Sequence, residues 1–315
     1  MLKPDDFFSS FGKSAESAEL EKIYKELNTL RRPDLDDEDE TRYFDWVLVK
    51  RNGVELGFAD AAYLAAEPAF RWGYGELLFC QVYFYGNFDG ITAWQGDLPF
   101  DLQFTDNRGI ARQKLRQYEA SRRSWRNDTW TLPAYDLTIV YRQADDMVER
   151  VVCRQRLAPI QPPTPVAYPA ISELIDTIGR SLEELRKIID PTLLEQSLDD
   201  GEIDLRQEYG LVFHLAGDPT VAALIQAITF HANRDNDSSG WRGELPLQLE
   251  FNDSPEMLRR KIGARPIQES DSLTTGHGVW ELPDYTLHIL YSNFDNRILR
   301  LTLRAPGTWK CIDEE

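Results

Sequence analysis

Cysteine is almost missing from this chain: 315 residues hold three, at Cys80, Cys153 and Cys311. The odd number, with Cys80 and Cys153 inside apolar strand-like runs, excludes a disulfide framework and points to a reducing compartment. Histidine is scarce too, with four residues, His214, His231, His277 and His288. None forms a His-x-x-x-His pair or stands beside a cysteine, so neither a metal nor another cofactor is expected. No apolar run approaches the roughly 18 residues of a membrane span. The opening Met1-Leu2-Lys3-Pro4-Asp5-Asp6 has no apolar signal core, and a cytoplasmic protein without a membrane partner is expected. Nucleophilic motifs are absent as well. There is no Gly-x-Ser-x-Gly elbow, neither Cys80 nor Cys153 has a basic setting that would activate it, and Gly73-x-Gly75 lacks the helix of a phosphate loop. No enzyme is expected.

Positive charge is the remaining deficit. Lys and Arg number 35 against 53 Asp and Glu, a net charge of −18. The stretch to Leu157 carries 21 basic and 27 acidic residues and the remainder 14 and 26, so both halves share the sign. Such a field repels nucleic acid and anionic membranes and attracts basic proteins. The basic runs Arg108/Arg112/Lys114/Arg116 and Arg259/Arg260/Lys261/Arg265 accordingly read as local charge balance on solvated helix faces.

What the chain does contain, it contains twice. Trp94-x-Gly96-Asp97-Leu98-Pro99 returns as Trp241-x-Gly243-Glu244-Leu245-Pro246, and Phe104-x-Asp106 as Phe251-x-Asp253. Trp130-x-Leu132-Pro133-x-Tyr135-x-Leu137-x-Ile139-x-Tyr141 returns as Trp280-x-Leu282-Pro283-x-Tyr285-x-Leu287-x-Ile289-x-Tyr291. Offsets of 147 and 150 residues are too long for solenoid repeats of roughly 20–50 residues, so the unit is a whole domain. The recurring positions are apolar and aromatic, with no shared catalytic set.

The expected fold class is α+β: two tandem repeated domains, each a leading helix plus an antiparallel sheet with a second helix inserted. Residues 1–16 read as a polar lead-in, 17–156 as the first repeat, 157–169 as a linker with five prolines, 170–306 as the second repeat and 307–315 as a tail. Leu20, Ile23, Tyr24, Leu27 and Leu30 give a first helix ending before Pro33, and 44–58 a hairpin with a tight turn at Asn52-Gly53. A short helix follows around 60–67, then an apolar strand over 77–85. Leu98–Phe104 reads as a strand, and Asp106 or Asn107 caps a helix reaching about Leu115. Strands flank Pro133, and the last of the repeat covers 148–155. In the second copy, the apolar stripe from Ile171 to Ile189 predicts one continuous helix. Strands at 211–215 and 223–230, a helix over 254–262, and strands at 279–281, 286–291 and 298–304 complete it.

The stretch Phe251-x-Asp253-Ser254-Pro255-Glu256, continuing to Ile262-Gly263-x-x-Pro266 and Trp280, resembles the helix-plus-meander module of the β-lactamase-inhibitor-protein-like group. The first copy departs from that pattern, with Arg116 where Gly263 stands and no matching proline. The chain as a whole is similar to the acidic, duplicated immunity proteins that bacteria keep beside secreted antibacterial toxins. That resemblance implies stoichiometric occlusion of a basic or cationic-patched toxin domain. The alternative is a structural or regulatory module that self-associates without a toxin.

Candidate partner-contacting residues follow. Asp36, Asp37, Glu38, Asp39 and Glu40 form an acidic loop able to steer a basic partner. Trp72, Tyr74, Tyr83 and Tyr85 belong to an aromatic series that places rings on both sides of one strand, with Phe79, Tyr83 and Tyr85 expected on one face and Phe84 on the other. Asp235 and Asp237 sit in a segment that faintly echoes a calcium loop; Pro246 occupies the place of the terminal Glu, so a hairpin turn is expected there.

Overall fold

A computed structural model describes residues 2–34, 44–67, 75–164, 166–199, 201–216, 223–272 and 274–309. The chain divides into two compact units, Met1–Ala158 and Pro159–Glu315. Each is mixed α+β and built on one antiparallel sheet.

The first unit runs α1 (Pro4–Phe8), α2 (Ala18–Glu26), β1 (Phe44–Val49), β2 (Val54–Asp60), α3 (Ala61–Ala65), β3 (Leu77–Tyr85) and α4 (Arg108–Lys114). It closes with β4 (Ala120–Arg123), β5 (Asn127–Thr131), β6 (Tyr135–Tyr141) and β7 (Val148–Gln155). Its seven strands lie in the order β1-β2-β3-β7-β6-β5-β4. The second unit has α5 (Ile171–Thr177), α6 (Leu182–Leu185), α7 (Pro191–Gln196), β8 (Leu198–Asp199), β9 (Glu202–Leu205), β10 (Leu211–Ala216) and β11 (Leu224–His231). There follow α8 (Pro255–Ile262), β12 (Gln268–Asp271), β13 (Thr275–Glu281), β14 (Thr286–Ser292) and β15 (Arg297–Arg304). Its eight strands are ordered β8-β9-β10-β11-β15-β14-β13-β12. Both sheets therefore consist of an early meander and a late meander joined through one long-range pairing, β3 with β7 and β11 with β15.

Strand alternation decides the layers. Phe58, Phe79, Val82, Phe84, Leu137, Ile139 and Val151 turn to one face of the first sheet, where α1, α2 and α4 contribute Phe7, Leu20, Ile23, Tyr24 and Ala111. In the second sheet Phe213, Ile228, Phe230, Leu287, Ile289, Leu301 and Leu303 meet Leu174, Leu185, Leu194 and Leu258 of its helices. Burial of this scale, at about 25 cal/mol per Å² of apolar surface, is what holds each unit together.

Several local expectations are corrected. The segment over 1–16 is no loose lead-in: Phe7 is fully buried, and Gly12, Lys13 and Ala15 hydrogen-bond to the start of β3 through Phe79 and Leu77. The same device occurs in the second unit, where Gly179 and Arg180 pair with Ile225 of β11. Phe11-Gly12-Lys13-Ser14 and Ile178-Gly179-Arg180-Ser181 are matching stretches, and both glycines take φ of +78°. That left-handed step is why the stripe from Ile171 to Ile189 is not one helix: the chain leaves α5 at Ile178 to add an edge pairing, then re-enters a helix at Leu182.

Leu98–Phe104 is not a strand. Pro99–Asp101 forms a 3-10 turn with positive φ at Phe100 and Asp101, repeated at Leu247 and Gln248. Lys114 Nζ donates to Asp101 O and to Asp106 Oδ2, both at 2.7 Å, and the Asp106 carboxylate accepts from Gln103 N. Lys261, Gln248, Asp253 and Glu250 repeat the arrangement. The hairpin turn at Asn52-Gly53 widens into a 3-10 turn over Lys50–Asn52, so only Gly53 needs a positive φ. A bulge beside Phe58 puts Phe79 on the core side with Phe84, leaving Tyr83 and Tyr85 on the other. Asn107 and Ser254 do cap α4 and α8, accepting from Ile110 N and Met257 N.

Gly53 and Gly210 close the early meanders against the tryptophan turns. A Cβ on Gly210 would stand 2.1 Å from Trp241 N, whereas one on Gly201, also left-handed, would meet nothing within 4 Å. Gly201→Ala should therefore cost about 1 kcal/mol and Gly210→Ala more than about 3 kcal/mol, read as urea midpoints at unchanged slope.

Candidate functional site

The face of the second sheet turned away from its helices carries an open cleft of about 430 Å³. Cross-strand register builds it. One row reads Gln268, Val279, His288, Thr302, Thr229 and Val212 from β12 through β10, and Arg300, Arg304, His231 and His214 stand in the neighbouring rows.

A continuous polar chain crosses this face. His214 Nδ1 lies 2.7 Å from Glu202 Oε1, His214 Nε2 lies 2.9 Å from Thr229 Oγ1, and Thr229 Oγ1 lies 2.9 Å from Thr302 Oγ1. A carboxylate only accepts, so Nδ1 donates to Glu202 and neutral His214 accepts from Thr229 at Nε2. Acid, imidazole and hydroxyl stand in the order used to activate a nucleophile. Thr229 is, however, 5% exposed and bonded on both sides, which makes the chain a tie across four strands.

A second cluster lies beside it. His231 Nδ1 is 2.7 Å from Asp235 Oδ2, and Arg300 Nε approaches the same oxygen at 3.1 Å. Arg206 lies along Asp204, at 2.6 Å for Nη2 to Oδ2, and donates to Asn236 O. At the other end Trp309 rests against His288, ring centroids 4.9 Å apart, while its Nε1 donates to Gln268 Oε1 at 2.9 Å. His277 stands 5.5 Å from His288 on the next strand. Burial, helped by His277, Arg300 and Arg304, lowers the His288 pKa from an ordinary 6.5 to about 4.

Tyr83 and Tyr85 lie on the corresponding face of the first sheet, their rings stacked 6.3 Å apart. Tyr85 Oη donates to Glu55 Oε2 at 2.6 Å and Tyr83 Oη to Gln81 Oε1 at 3.0 Å; burial, then the Glu55 bond, push the Tyr85 hydroxyl upward, so it stays protonated. Asp235 is 8% exposed and tied to His231 and Arg300, which makes it an internal counter-ion rather than a surface carboxylate. Asp237 ends the adjoining 3-10 turn at φ +63°. Asp36, Asp37, Glu38, Asp39, Glu40, Trp72 and Tyr74 lie outside the described residues.

Part of each basic run is committed internally, while Arg116, Arg260 and Arg265 are exposed. Arg112 grips buried Asp128 at 2.7 and 2.9 Å, Arg108 binds Asp146 at 2.9 Å, and Arg259 donates to Tyr291 Oη at 3.1 Å. Cys80 and Cys153 are buried free thiols, and burial pushes Cys80 up to about 12. Among the described residues no three His, Cys, Asp or Glu side chains are grouped to hold a metal, and no helix is long and apolar enough to cross a membrane.

Two features of these faces are legible in the sequence. Arg150-x-x-x-Arg154 recurs as Arg300-x-x-x-Arg304 at the offset of 150, a polar pair kept in both copies. Trp309 is a lone tryptophan in what reads as a polar tail. No protein-family profile, curated protein or solved structure matches the chain.

Because His288 is harder to protonate when folded, unfolding takes up a proton between pH 6.5 and 4. The stability it contributes is complete above 6.5 and is lost as pH falls toward 4. Replacing His288 with Gln should remove up to about 3 kcal/mol of the acid-induced loss, measured as the wild-type minus variant difference at pH 7 and pH 4. Parallel curves would place the acid sensitivity elsewhere.

Proposed function

We propose that the chain is a tandem pair of repeated α+β domains acting as a non-enzymatic, acidic binding protein. It occludes a basic or cationic-patched protein, in the manner of an immunity protein neutralising its cognate toxin. The observation that carries this reading is the charge balance. An ion pair consumes one acid and one base, so the surplus of 18 carboxylates stays uncompensated however the pairs form. Arg32, Arg108, Arg112, Lys114, Arg186, Arg206, Lys261 and Arg300 are already paired with carboxylates of the chain. What is left to meet a partner is predominantly negative, which favours fast encounter with a cationic surface. The matching strand orders support the tandem arrangement, and half-buried Tyr83, backed by buried Tyr85 on the face away from the helices, suits an aromatic anchor.

Capture from a lysate of the source cells at two salt concentrations, followed by mass spectrometry, should yield one stoichiometric basic protein, held less well at high salt. Only self-association would favour the structural module instead. With that partner in hand, Lys substitution of Asp36–Glu40 should slow association several-fold, and Tyr83→Ala with Tyr85→Ala should chiefly raise the dissociation rate. Stopped-flow and surface-binding kinetics separate the two effects; an unchanged association rate would remove the acidic loop from the contact.

A further inference from the structure

We propose that the cleft on the second sheet binds a small aromatic oxyanion, a carboxylate or phosphate monoester on a planar ring, with Arg304 taking the anionic group and the Trp309–His288 pair offering an aromatic surface for the ring. This site is separate from the carboxylate-rich contact proposed above, and its chemistry has the opposite sign.

Three observations converge on it. First, the cations lining the cleft differ in their commitments. Arg206 is held by Asp204 and Arg300 by Asp235, but Arg304 has no carboxylate or other side-chain partner among the described residues, and its buried Nε is without an acceptor. A guanidinium without an acceptor is unfavourable, and an oxyanion in the cleft would supply one to Arg304. Second, the opposite requirement is met nearby. Trp309 and His288 form a flat, tilted pair at 4.9 Å, with the indole N–H already engaged by Gln268, so the ring edge is fixed and its remaining surface is apolar. His288 stands beside Arg304, Arg300 and His277, so an uncommitted cation adjoins the aromatic pair. Third, the size fits: about 430 Å³ lies within the range of small-molecule sites, roughly 300–1,000 Å³. Glu202, bonded to His214, stands in the same cleft and favours a ligand with one anionic group over a polyanion.

The test is calorimetric titration of the full chain at low ionic strength with phenyl phosphate, benzoate, inorganic phosphate and phenol. Phenyl phosphate or benzoate should bind one-to-one, and comparing the two identifies which oxyanion the cleft prefers. Inorganic phosphate and phenol, each lacking one half of the recognition, should bind at least about tenfold more weakly. Arg304→Gln should weaken binding about tenfold or more, and Arg304→Lys by less, because an ammonium keeps the charge but loses the planar fork. An unchanged urea midpoint for Arg304→Gln shows that the fold is intact. As an independent readout, the His288 ring signals in a histidine-labelled NMR spectrum should shift on binding. Saturable binding that survives Arg304→Gln, or equal affinity for inorganic phosphate and phenyl phosphate, would overturn the proposal; so would no binding of any probe.

Discussion

Both units depend on one long-range strand pairing. Val82 opposite Cys153 and Phe84 opposite Val151 join the two meanders of the first sheet; Ile228 opposite Leu303 and Phe230 opposite Leu301 do the same in the second. Each pairing brings together residues about 70 positions apart, so it forms only when the intervening chain returns to the right register. The return is fixed by a rigid turn. Trp94 and Trp241 donate their indole N–H to Asp97 O and Glu244 O, and the rings lie so close over Gly96 and Gly243 that no side chain fits there. Gly53 and Gly210 admit the tryptophan backbone, and the Asp106–Lys114 and Asp253–Lys261 pairs lock the step into the following helix.

On this shared frame the two units diverge wherever the frame does not dictate the residue. Asp128, fully buried, holds Arg112 and accepts from Tyr141 Oη, whereas its counterpart in the other sheet is Gly278, covered by the Trp280 ring. The arginine and tyrosine remain as Arg259 and Tyr291 and bond each other directly. The loss of a buried carboxylate is thus matched by the loss of the need to compensate it. The faces away from the helices differ more. Tyr83, Tyr85, Thr138 and Val152 stand where the second sheet has Thr229, His231, His288 and Thr302, while Arg150 and Arg154 persist as Arg300 and Arg304. One face became aromatic and the other a histidine-lined cleft.

Much of the frame was legible because it rests on short-range chemistry. Tyr135–Tyr141 alternates over most of its length and Val148–Gln155 holds a short apolar run, Asn107 and Ser254 cap their helices, and Pro133 separates two strands, each visible within a few residues. The misreadings share one cause, a tertiary contact overriding a local pattern. The stripe from Ile171 to Ile189 is helical by period, but Gly179 breaks it to pair with β11. Phe79 belongs with Tyr83 and Tyr85 by parity, but a bulge opposite Phe58 reverses its side. Leu98–Phe104 alternates like a strand, yet Lys114 and Asp106 fold it into a left-handed turn.

The sequence by itself determined that the chain repeats, that it is acidic in both halves, and where most strands and caps lie, because spacing, charge and capping are properties of neighbouring residues. The polar chemistry was decided only by the tertiary structure. Glu202, His214, Thr229 and Thr302 are scattered over a hundred residues and meet because β9, β10, β11 and β15 are adjacent in the sheet. Asp235 becomes an internal counter-ion to Arg300, and Arg304 a cation without one among the described residues, through the same pairing of β11 with β15. Which charges are satisfied is a question of distance across a sheet, and distance across a sheet is not written in the order of residues along the chain.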